Sequence, residues 1–185
     1  MDKSADLANL VLRKVTTNDA EALLLIYEPY IHISHITFET EVPTLKAYRN
    51  RISQISSKYP WYVAELNGKI IGYAYANFFR ERAAYQWALE TSIYVSDDYQ
   101  GLPGLSPARA LYKQLFRDLK DRGTKQVIGV ISLPNEKSVR FHEKMGFTSV
   151  GTFQSVGYKL GRWWDVLFMT KFLENLPFSE PKDAP

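Results

Sequence analysis

The sequence predicts an α+β fold in which a single domain contains a mixed central β-sheet flanked by helices. Asn67-Gly68 separates two β-rich runs, which is the strongest short signal of an antiparallel hairpin. Residues 107–122 show helical spacing with a proline at the first position. The β-branched run Gln126–Ile131 that follows is typical of a buried parallel strand. Antiparallel and parallel pairing together predict a mixed sheet.

The first third of the chain predicts one strand followed by two helices. Residues Val11–Val15 alternate as a half-buried strand does. Asn18 is a candidate helix cap, because Glu21 three residues later would complete a capping box. A loop or short extended piece is predicted at Ile36–Thr40, and a second helix over Thr44–Ser57. The residues expected to face the core are Leu23, Ile26, Tyr27 and Tyr30 in the first helix and Leu45, Tyr48, Ile52 and Ile55 in the second.

The rest of the chain alternates strands and helices. The hairpin is predicted to pair Trp61–Leu66 with Lys69–Asn77, and a third strand is predicted over Ala83–Val95. A helix follows from Pro107, and Gly123 lies where a C-terminal cap belongs. The order β-α-α-β-β-β-α-β-α-β-β is completed by a strand at Gln126–Ile131, a helix from Asn135 to Gly146, and strands at Val150–Tyr158 and Trp163–Phe172.

Length and composition fit one globular domain. The chain has 185 residues, of which 45% are hydrophobic and 23% charged. We expect the domain to span residues 8–174, and the polar, proline-rich residues 175–185 to form a disordered tail. Apolar runs are too short for a transmembrane helix, and the start of the chain lacks a signal-peptide segment, so we expect a cytoplasmic protein without a membrane partner. The net charge of +3 is too small and dispersed to indicate nucleic acid.

The chain contains no cysteine. This excludes disulfides, a thiolate nucleophile, an acyl-cysteine intermediate and cysteine-based metal sites. The three histidines lie at scattered positions without a third ligand beside His32 and His35, so we expect no metal site.

Glu90 is the residue that most strongly indicates chemistry. Alternation along the strand places Leu89 and Thr91 on a core face, and Glu90 with Ser92 and Tyr94 on the other face. A carboxylate is rarely buried unless it is paired, and burial would raise its pKa toward the range useful for proton transfer. From this strand alone, a glutamate that simply pairs with an arginine is the favoured interpretation, and a general base is the alternative.

The loop Tyr99–Ser106 contains Gly101 and Gly104 and leads into a helix N-terminus. The free N–H groups and partial positive charge of such an end suit a phosphate. Two glycines are weak evidence by themselves, so an ordinary surface loop is the favoured interpretation when this segment is considered alone.

Four segments, each weak alone, occur in order and at similar spacing in a known family. They are Ile36–Thr40; Phe79–Trp87 running into Glu90–Val95; Leu133-Pro134-Asn135 running into Ser138–Glu143; and Gly157-Tyr158-Lys159 with Gly161–Val166. With them the chain resembles the GNAT superfamily of acetyl-CoA-dependent N-acetyltransferases. Within it, the chain is most similar to the phosphinothricin acetyltransferases, also called methionine sulfoximine acetyltransferases. The resemblance runs from about Val11 to Phe172.

The resemblance implies acetyl-CoA as co-substrate, held in the split between two neighbouring parallel strands. It implies that the backbone at the end of one strand contacts the co-substrate and that the loop before the next helix binds the pyrophosphate. Two polar residues are implied to lie near the pantetheine arm. In the same order, these residues are Ile93, Tyr94 and Val95; Gln100, Gly101, Gly104, Ser106 and Ala108; and Asn135 and Ser138.

The phosphate loop departs from the pattern of the family. GNAT enzymes usually show Gln or Arg, two residues, Gly, one residue, then Gly or Ala. Here the stretch Gln100–Ala108 is longer by about three residues, a count taken back from the helix, and Ser106 stands where the usual glycine belongs. Pro107 also removes one N–H donor, although a proline at the first helical position deletes only one of several free donors. We therefore expect this loop to bind CoA differently from the usual phosphate loop of the family.

The resemblance also implies catalytic residues. It makes Glu90 the general base and places His142 where many other GNAT enzymes carry a tyrosine. His142 could act as a second base or stabilise the leaving thiolate. Without the resemblance, a helix histidine that bonds nearby backbone is the favoured interpretation.

The substrate site implied by the resemblance contains Phe38, Arg80, Arg82 and Tyr85. Arg80 and Arg82 are two apart on a segment expected to be extended, so both could bind a carboxylate in bidentate fashion. The alternative is two solvated arginines beside Glu81, with the two aromatic residues as ordinary core.

We therefore expect a cytoplasmic N-acetyltransferase, forming a homodimer, that acts on the α-amine of a small amino-acid-like molecule by direct transfer in a ternary complex. Two alternatives stay open. A GNAT enzyme for a polyamine or aminoglycoside would need an acidic pocket, whereas this chain offers Arg80 and Arg82. A non-catalytic CoA-binding module is favoured by the altered loop but disfavoured by the presence of both Glu90 and His142. Trp163-Trp164 is expected to pack internally or to form a dimer surface.

Overall fold

A computed structural model describes residues 10–101 and 104–180 of the chain. Their seven strands are β1 (Leu10–Lys14), β2 (Trp61–Leu66), β3 (Lys69–Phe78), β4 (Ala88–Val95), β5 (Gln126–Leu133), β6 (Thr148–Lys159) and β7 (Arg162–Phe172). They form one sheet in the order β1-β2-β3-β4-β5-β7-β6. The β4–β5 pair is parallel, whereas β1–β2, β2–β3, β5–β7 and β6–β7 are antiparallel. The predicted α+β class with a mixed sheet is confirmed.

The described helices also follow the predicted order. They are α1 (Ala20–His32), α2 (Leu45–Ser56), α3 (Pro107–Asp121) and α4 (Glu136–Lys144). Within the described parts of the chain, no helix is long and apolar enough to cross a membrane.

The chain divides into two compact units. Of the described residues, the first comprises 10–27, 43–76, 93–101 and 104–118, and the second comprises 28–42, 77–92 and 119–180. The expected domain limits of 8–174 stay a prediction, and residues 8, 9 and 181–185 lie outside the described residues. In the near part of the expected tail, the Phe178 ring contacts Phe172 of β7 edge-on, with centroids 5.4 Å apart.

The first unit has an aromatic core. The buried Tyr48 of α2 and the buried Trp61 of β2 meet edge-on, and Trp61 stacks on Tyr73 of β3 with centroids 5.8 Å apart. The Tyr48 hydroxyl donates to the Tyr73 hydroxyl over 3.0 Å, so these buried phenols satisfy each other. The predicted hairpin is confirmed, and Asn67 and Gly68 have φ of 50° and 78°, the left-handed values that a two-residue I′ turn requires.

The predicted cap of the first helix is wrong. Thr16 and Asp19, not Asn18 and Glu21, close a capping box before α1, because the Asp19 carboxylate accepts from the Thr16 amide over 2.7 Å. Asp19 is held there by Arg13 of β1, whose guanidinium donates to both carboxylate oxygens at 2.8 Å. The ion pair with Arg13 therefore stabilises the Asp19 carboxylate in its position within the capping box.

The predicted start of the third strand, at Ala83, is also wrong. Residues 83–85 form one turn of 3-10 helix, and β4 begins only at Ala88. The cap of that turn closes with the Gln86 amide donating to the Ala83 carbonyl over 3.1 Å. The segment that carries Arg80 and Arg82 is therefore a bend between two elements and not part of a strand.

The second unit is built on β5, β7 and β6. Residues Gln126–Leu133 of β5 pair antiparallel with Asp165–Phe172 of β7 along their full length. The parallel pairing of β5 with β4 covers Ala88–Glu90 against Gln126–Ile128. The C-terminal turn of α4 packs on β5 at Gly129, which places the end of this helix against the strand next to β4.

Candidate active site

Glu90 lies in the second unit, at the last residue pair that joins β4 to β5. Its side chain is half-buried, and none of the described residues forms a hydrogen bond or ion pair with its carboxylate. Burial raises the pKa of this carboxyl above its ordinary value. The interpretation in which Glu90 pairs with an arginine therefore fails. A desolvated, unpaired carboxylate is suited to accept a proton.

His142 lies in the last turn of α4 and is only 4% exposed. Its Nδ1 lies 2.8 Å from the carbonyl oxygen of Ser138, and a carbonyl only accepts, so Nδ1 carries a proton and donates it. In the neutral ring Nε2 is then an acceptor. Burial lowers the pKa of His142, which favours the neutral ring. Phe147 packs edge-on against this ring with centroids 4.9 Å apart.

Glu90 and His142 lie on opposite faces of the sheet. Glu90 pairs with Ile128, and paired residues of neighbouring strands point to the same face. The next residue of β5, Gly129, points to the other face, and a Cβ placed there would lie 3.0 Å from Cδ2 of His142. The structure thus brings both residues to the β4–β5 junction but separates their side chains by the backbone of the sheet.

Three of the four expected substrate residues lie close together in the chain, before β4. Arg80 and Arg82 are exposed, and Arg80 places its guanidinium 5.1 Å from the centroid of the Phe79 ring. Tyr85 meets the same ring edge-on, with centroids 5.9 Å apart. Phe79, to which the sequence assigns no role, therefore contacts two of the expected substrate residues at once. Its signal was its place in the Phe79–Trp87 motif.

Phe38, the fourth expected substrate residue, lies in the loop of residues 33–42 that follows α1 and belongs to the second unit. Its side chain is 40% exposed, and its ring lies over Gly157 of β6. The loop is held by side chains of β5, β6 and β7 whose roles the sequence did not reveal. The motif Gly157-Tyr158-Lys159 with Gly161–Val166 was the signal for the residues on β6 and β7, and Ser132 of β5 had no signal of its own.

Two expected pantetheine residues, Asn135 and Ser138, have local roles in the second unit. Asn135 caps α4, because its Oδ1 accepts from the Ser138 amide over 3.2 Å. The Ser138 hydroxyl lies 3.3 Å from Nδ1 of His142. Asn135 also lines a cavity of about 510 Å³ between the end of β5, the outer side of α4 and the start of β7.

The first unit contains the other expected co-substrate residues, beginning with Ile93–Val95 at the end of β4. The Tyr94 ring packs edge-on against Tyr27, with centroids 4.9 Å apart, so its side chain belongs to the aromatic core. The Gln100 side chain donates to the Val95 carbonyl over 2.9 Å and to the Asp97 carboxylate over 2.8 Å. These bonds tie the start of the phosphate loop to β4.

The described part of the phosphate loop is compatible with an anion. Gly101 and Gly104 have φ of 69° and 77°, a conformation that side chains other than glycine rarely adopt. The carbonyl of Ser106 accepts the Ala110 amide over 3.0 Å, so the amides of Ala108 and Arg109 precede the ladder of α3. Amides at the start of a helix suit a phosphate. Leu102 and Pro103 lie outside the described residues.

Comparisons with known proteins agree with this geometry. A model of the acetyltransferase (GNAT) domain matches residues 12–168. Phosphinothricin N-acetyltransferase of Streptomyces viridochromogenes is 39% identical over 163 residues, which cover 88% of this chain and 87% of that protein. L-methionine sulfoximine/L-methionine sulfone acetyltransferase of Salmonella typhimurium is 30% identical over 171 residues, which cover 90% of this chain and 96% of that protein.

A solved structure shows the same fold. It is a GNAT superfamily phosphinothricin acetyltransferase from Sinorhizobium meliloti in complex with acetyl-CoA. It superposes with a TM-score of 0.87 at 32% sequence identity, covering 95% of this chain and 95% of that chain.

Proposed function

This chain belongs to the GNAT acetyltransferase family as an N-acetyltransferase, and on that premise we propose that it acetylates the α-amine of a small amino-acid-like substrate of the phosphinothricin or methionine sulfoximine type. The family resemblance seen in the sequence is thereby confirmed. The observation that carries the proposal is the unpaired, half-buried carboxylate of Glu90 on β4. The second unit also contains the four proposed substrate residues Phe38, Arg80, Arg82 and Tyr85.

Glu90 is the proposed general base. An amine attacks a thioester only when it is neutral, and free α-amines have a pKa of about 8, so much of the substrate carries a proton at neutral pH. The Glu90 carboxylate accepts that proton directly or through a water molecule. Acetyl-CoA supplies the activated acetyl thioester. Because the chain has no cysteine to carry an acetyl group, we propose direct transfer within a ternary complex. The amine nitrogen forms a bond to the acetyl carbon, the C–S bond of the thioester breaks, and CoA leaves as a thiolate that takes a proton from solvent.

His142 has a narrower role than the sequence suggested. Its Nδ1–H is committed to the Ser138 carbonyl, and burial keeps the ring neutral, so Nε2 is an acceptor and not a donor. An acceptor can take a proton but cannot stabilise a thiolate by hydrogen bonding. Of the two roles left open by the sequence, we therefore propose that of a base, although His142 lies on the face opposite Glu90 and does not contact the amine that Glu90 deprotonates.

For the co-substrate, we propose the residues that the family resemblance assigns and that the described geometry fits. In the first unit these are the backbone of Ile93, Tyr94 and Val95 and the loop residues Gln100, Gly101, Gly104, Ser106 and Ala108. In the second unit they are Asn135 and Ser138.

Acetyl-CoA is expected to raise the melting temperature of the protein. A ligand that binds only the folded state at about 100 times its Kd adds about 2.7 kcal/mol. For a chain of this length that corresponds to a rise of roughly 5–10 °C. Differential scanning fluorimetry with millimolar acetyl-CoA measures it.

A matched pair of variants tests the phosphate loop in the same experiment. Gly101→Ala forces a side chain into a positive φ and should reduce the rise, whereas Gly151→Ala, on β6 with no atom within 4 Å of the added carbon, should keep it. A wild-type melting temperature that does not change with acetyl-CoA would overturn the proposed binding.

The substrate proposal is tested by acetyl-CoA consumption across amino acids, methionine sulfoximine, phosphinothricin and polyamines. Exposed Arg80 and Arg82 favour substrates that carry an acid beside the amine. We expect turnover of at least one amino-acid-like compound and little or none of the polyamines. Preferential turnover of polyamines would replace this proposal by the polyamine or aminoglycoside alternative.

We also propose a homodimer. β6 is the last strand of the described sheet and pairs only with β7, so its outer edge has no partner strand in the described part of the chain. Apolar side chains on β6 are exposed, among them Val150, Val156 and Tyr158, while Trp163 on the adjoining strand is exposed and Trp164 is buried. An exposed apolar strand at a sheet edge favours pairing with a second copy. A cytoplasmic location without nucleic-acid or membrane partners stays a prediction.

The dimer proposal predicts that Val156→Asp weakens self-association. The substitution puts a charge on an exposed apolar position of β6, and desolvating that charge in an interface is costly. Sedimentation velocity should show a dimer for the natural protein and a shift toward monomer for the variant. A monomer at all concentrations of the natural protein would contradict the proposal.

A further inference from the structure

The 33–42 loop is fixed to the second unit by side chains of three strands. The Ser132 hydroxyl of β5 donates to the His35 carbonyl over 2.6 Å. The His35 ring stacks on the indole of Trp164 in β7, with centroids 3.9 Å apart and planes 6° apart. Its Nε2 also lies 3.0 Å from the Pro134 carbonyl oxygen. One loop residue therefore has three separate attachments.

Lys159 of β6 holds the loop at a second residue, Thr37. The residue is only 4% exposed, and its ammonium donates to the Thr37 carbonyl over 2.7 Å and to the Tyr30 carbonyl over 3.2 Å. Tyr30 lies in the last turn of α1, where carbonyl groups lack partners within the helix. A buried ammonium is costly unless acceptors surround it, so these carbonyls and the lysine hold each other in place.

Gly157, two residues before Lys159, leaves room for the ring of a third loop residue, Phe38, because it has no side chain. A Cβ at this position would overlap three carbons of the Phe38 ring, of which the farthest would lie 2.7 Å away. The ring therefore fills the space that any other residue would occupy. Gly157 and Lys159 point to the same face because they are two apart on a strand.

These attachments place the loop on the face of the sheet that carries Glu90. Ser132 and Ile128 are four residues apart on β5 and share a face, and Ile128 pairs with Glu90. Ser132 holds the loop by its side chain, so the loop lies on that same face. The proposed base and the proposed substrate residue Phe38 are thus on one side of the sheet, within a single compact unit.

We infer that Gly157 and Lys159 are positioning residues that fix the Phe38 ring as a wall of the amino-acid pocket and thereby limit the size of the substrate side chain. The inference rests on the proposed function, which makes Phe38 a substrate contact. A loop fixed before binding loses less entropy when the substrate binds, so its anchors affect substrate affinity without touching substrate. Gly157 acts by leaving room for the Phe38 ring. Lys159 acts by holding the backbone of Thr37, which precedes Phe38 in the chain.

Gly157→Ala tests this inference against Gly151→Ala, the same change on the same strand where the added carbon meets no atom within 4 Å. Gly157→Ala should raise KM for the amino-acid substrate by roughly five- to tenfold, the coupling typical of residues in contact, and should change relative rates among substrates of different side-chain size. KM for acetyl-CoA should stay within about twofold in both variants. Gly151→Ala should leave both constants unchanged.

Lys159→Met tests the second anchor. It keeps an unbranched apolar stem but removes the donor to the Thr37 and Tyr30 carbonyls, so it should raise KM for the amino acid more than KM for acetyl-CoA. A residue that only supports the fold would lower the melting temperature and leave the ratio of the two KM values unchanged. That result would remove Lys159 from the inference.

A double-mutant cycle with Phe38→Leu identifies the ring as the partner of Gly157. Phe38→Leu removes the ring carbons that the new Cβ would meet, so Gly157→Ala should cost much less in the Phe38→Leu background. The cycle is measured in KM and, separately, in the free energy of unfolding by urea. Additive effects in both measurements would overturn the inference.

The same set of measurements distinguishes a failure of the proposed function from a failure of the further inference. If the natural protein acetylates none of the amines tested, the proposed function fails. Coupling between Gly157 and Phe38 in the free energy of unfolding would then still show that the ring is held by the glycine, but the assignment of a pocket wall would fall with the function. If the natural protein is active and KM does not change in Gly157→Ala, only the further inference fails.

Discussion

Glu90→Gln is expected to lower kcat by roughly 10² to 10⁴, the usual range for the loss of a general base. The amide has almost the shape of the carboxylate but cannot accept the proton of the amine. Because no described residue bonds the Glu90 carboxylate, the change breaks no ion pair or hydrogen bond, and the fold and acetyl-CoA binding should persist. Steady-state kinetics and the melting-temperature rise with acetyl-CoA measure the two parts. Full activity of the variant at neutral pH would contradict the assignment.

The pH dependence gives an independent test of the same residue. Burial raises the pKa of Glu90, so kcat/KM of the natural protein should fall with decreasing pH at values above those of an ordinary carboxyl. The base is active when ionised, so the loss lies on the acid side. In Glu90→Gln this acid limb should disappear. Glu21→Gln, at an exposed position of α1, should keep the limb and the rate of the natural protein.

Stability should move in the opposite direction from activity. A carboxyl whose folded pKa is raised favours the folded state fully only below its unfolded pKa, and that contribution is lost as pH rises through the folded pKa. At neutral pH the ionised Glu90 therefore lowers the free energy of unfolding. Glu90→Gln should melt at the same or a higher temperature at neutral pH, with the difference vanishing in acid. A strained or desolvated group retained at such a cost is typical of a functional site.

Local rules predicted the elements around the site. Asn67-Gly68 predicted the hairpin because a two-residue turn with positive φ at both positions matches the twist of the strands that it joins. Asn135 predicted the start of α4 because its side chain accepts an amide of the first turn. Glu90 stood out because alternation alone shows that a carboxylate has been placed in an otherwise apolar strand. Each of these inferences needed only residues within a few positions of one another.

Contacts between distant parts of the chain escaped the same reasoning. The shape of the 33–42 loop depends on Gly157 and Lys159, more than a hundred residues later. The separation of Glu90 and His142 on opposite faces depends on the register of β4 with β5, which no local pattern specifies. The motif Gly157-Tyr158-Lys159 was visible in the sequence, but its partner Phe38 could be found only in the fold.

Arg82→Ala is expected to raise KM for the amino-acid substrate by about ten- to a hundredfold, since a lost charge-assisted hydrogen bond costs on the order of 1.5–3 kcal/mol. KM for acetyl-CoA should change far less. Arg82 is exposed, and no described residue pairs with its guanidinium, so the side chain is available to a carboxylate or phosphinate group. Arg117→Ala, which removes an exposed arginine from the surface of α3, is the matched control and should leave both constants unchanged.

A substrate analogue that has the amine but lacks the acid distinguishes two roles of Arg82, recognition of the substrate acid and support of the fold. If Arg82 binds the acid of the substrate while the amine faces Glu90, the neutral analogue is already a poor substrate of the natural protein, and Arg82→Ala should barely change its KM. If Arg82 instead supports the bend before the 3-10 turn at Ala83, where it occupies the cap position, the variant should lose affinity for the acid and the neutral analogue alike. KM measured for both compounds in both proteins decides between them. An equal loss for the two compounds would make Arg82 structural and leave the pair Arg80 and Arg82 as solvated charges.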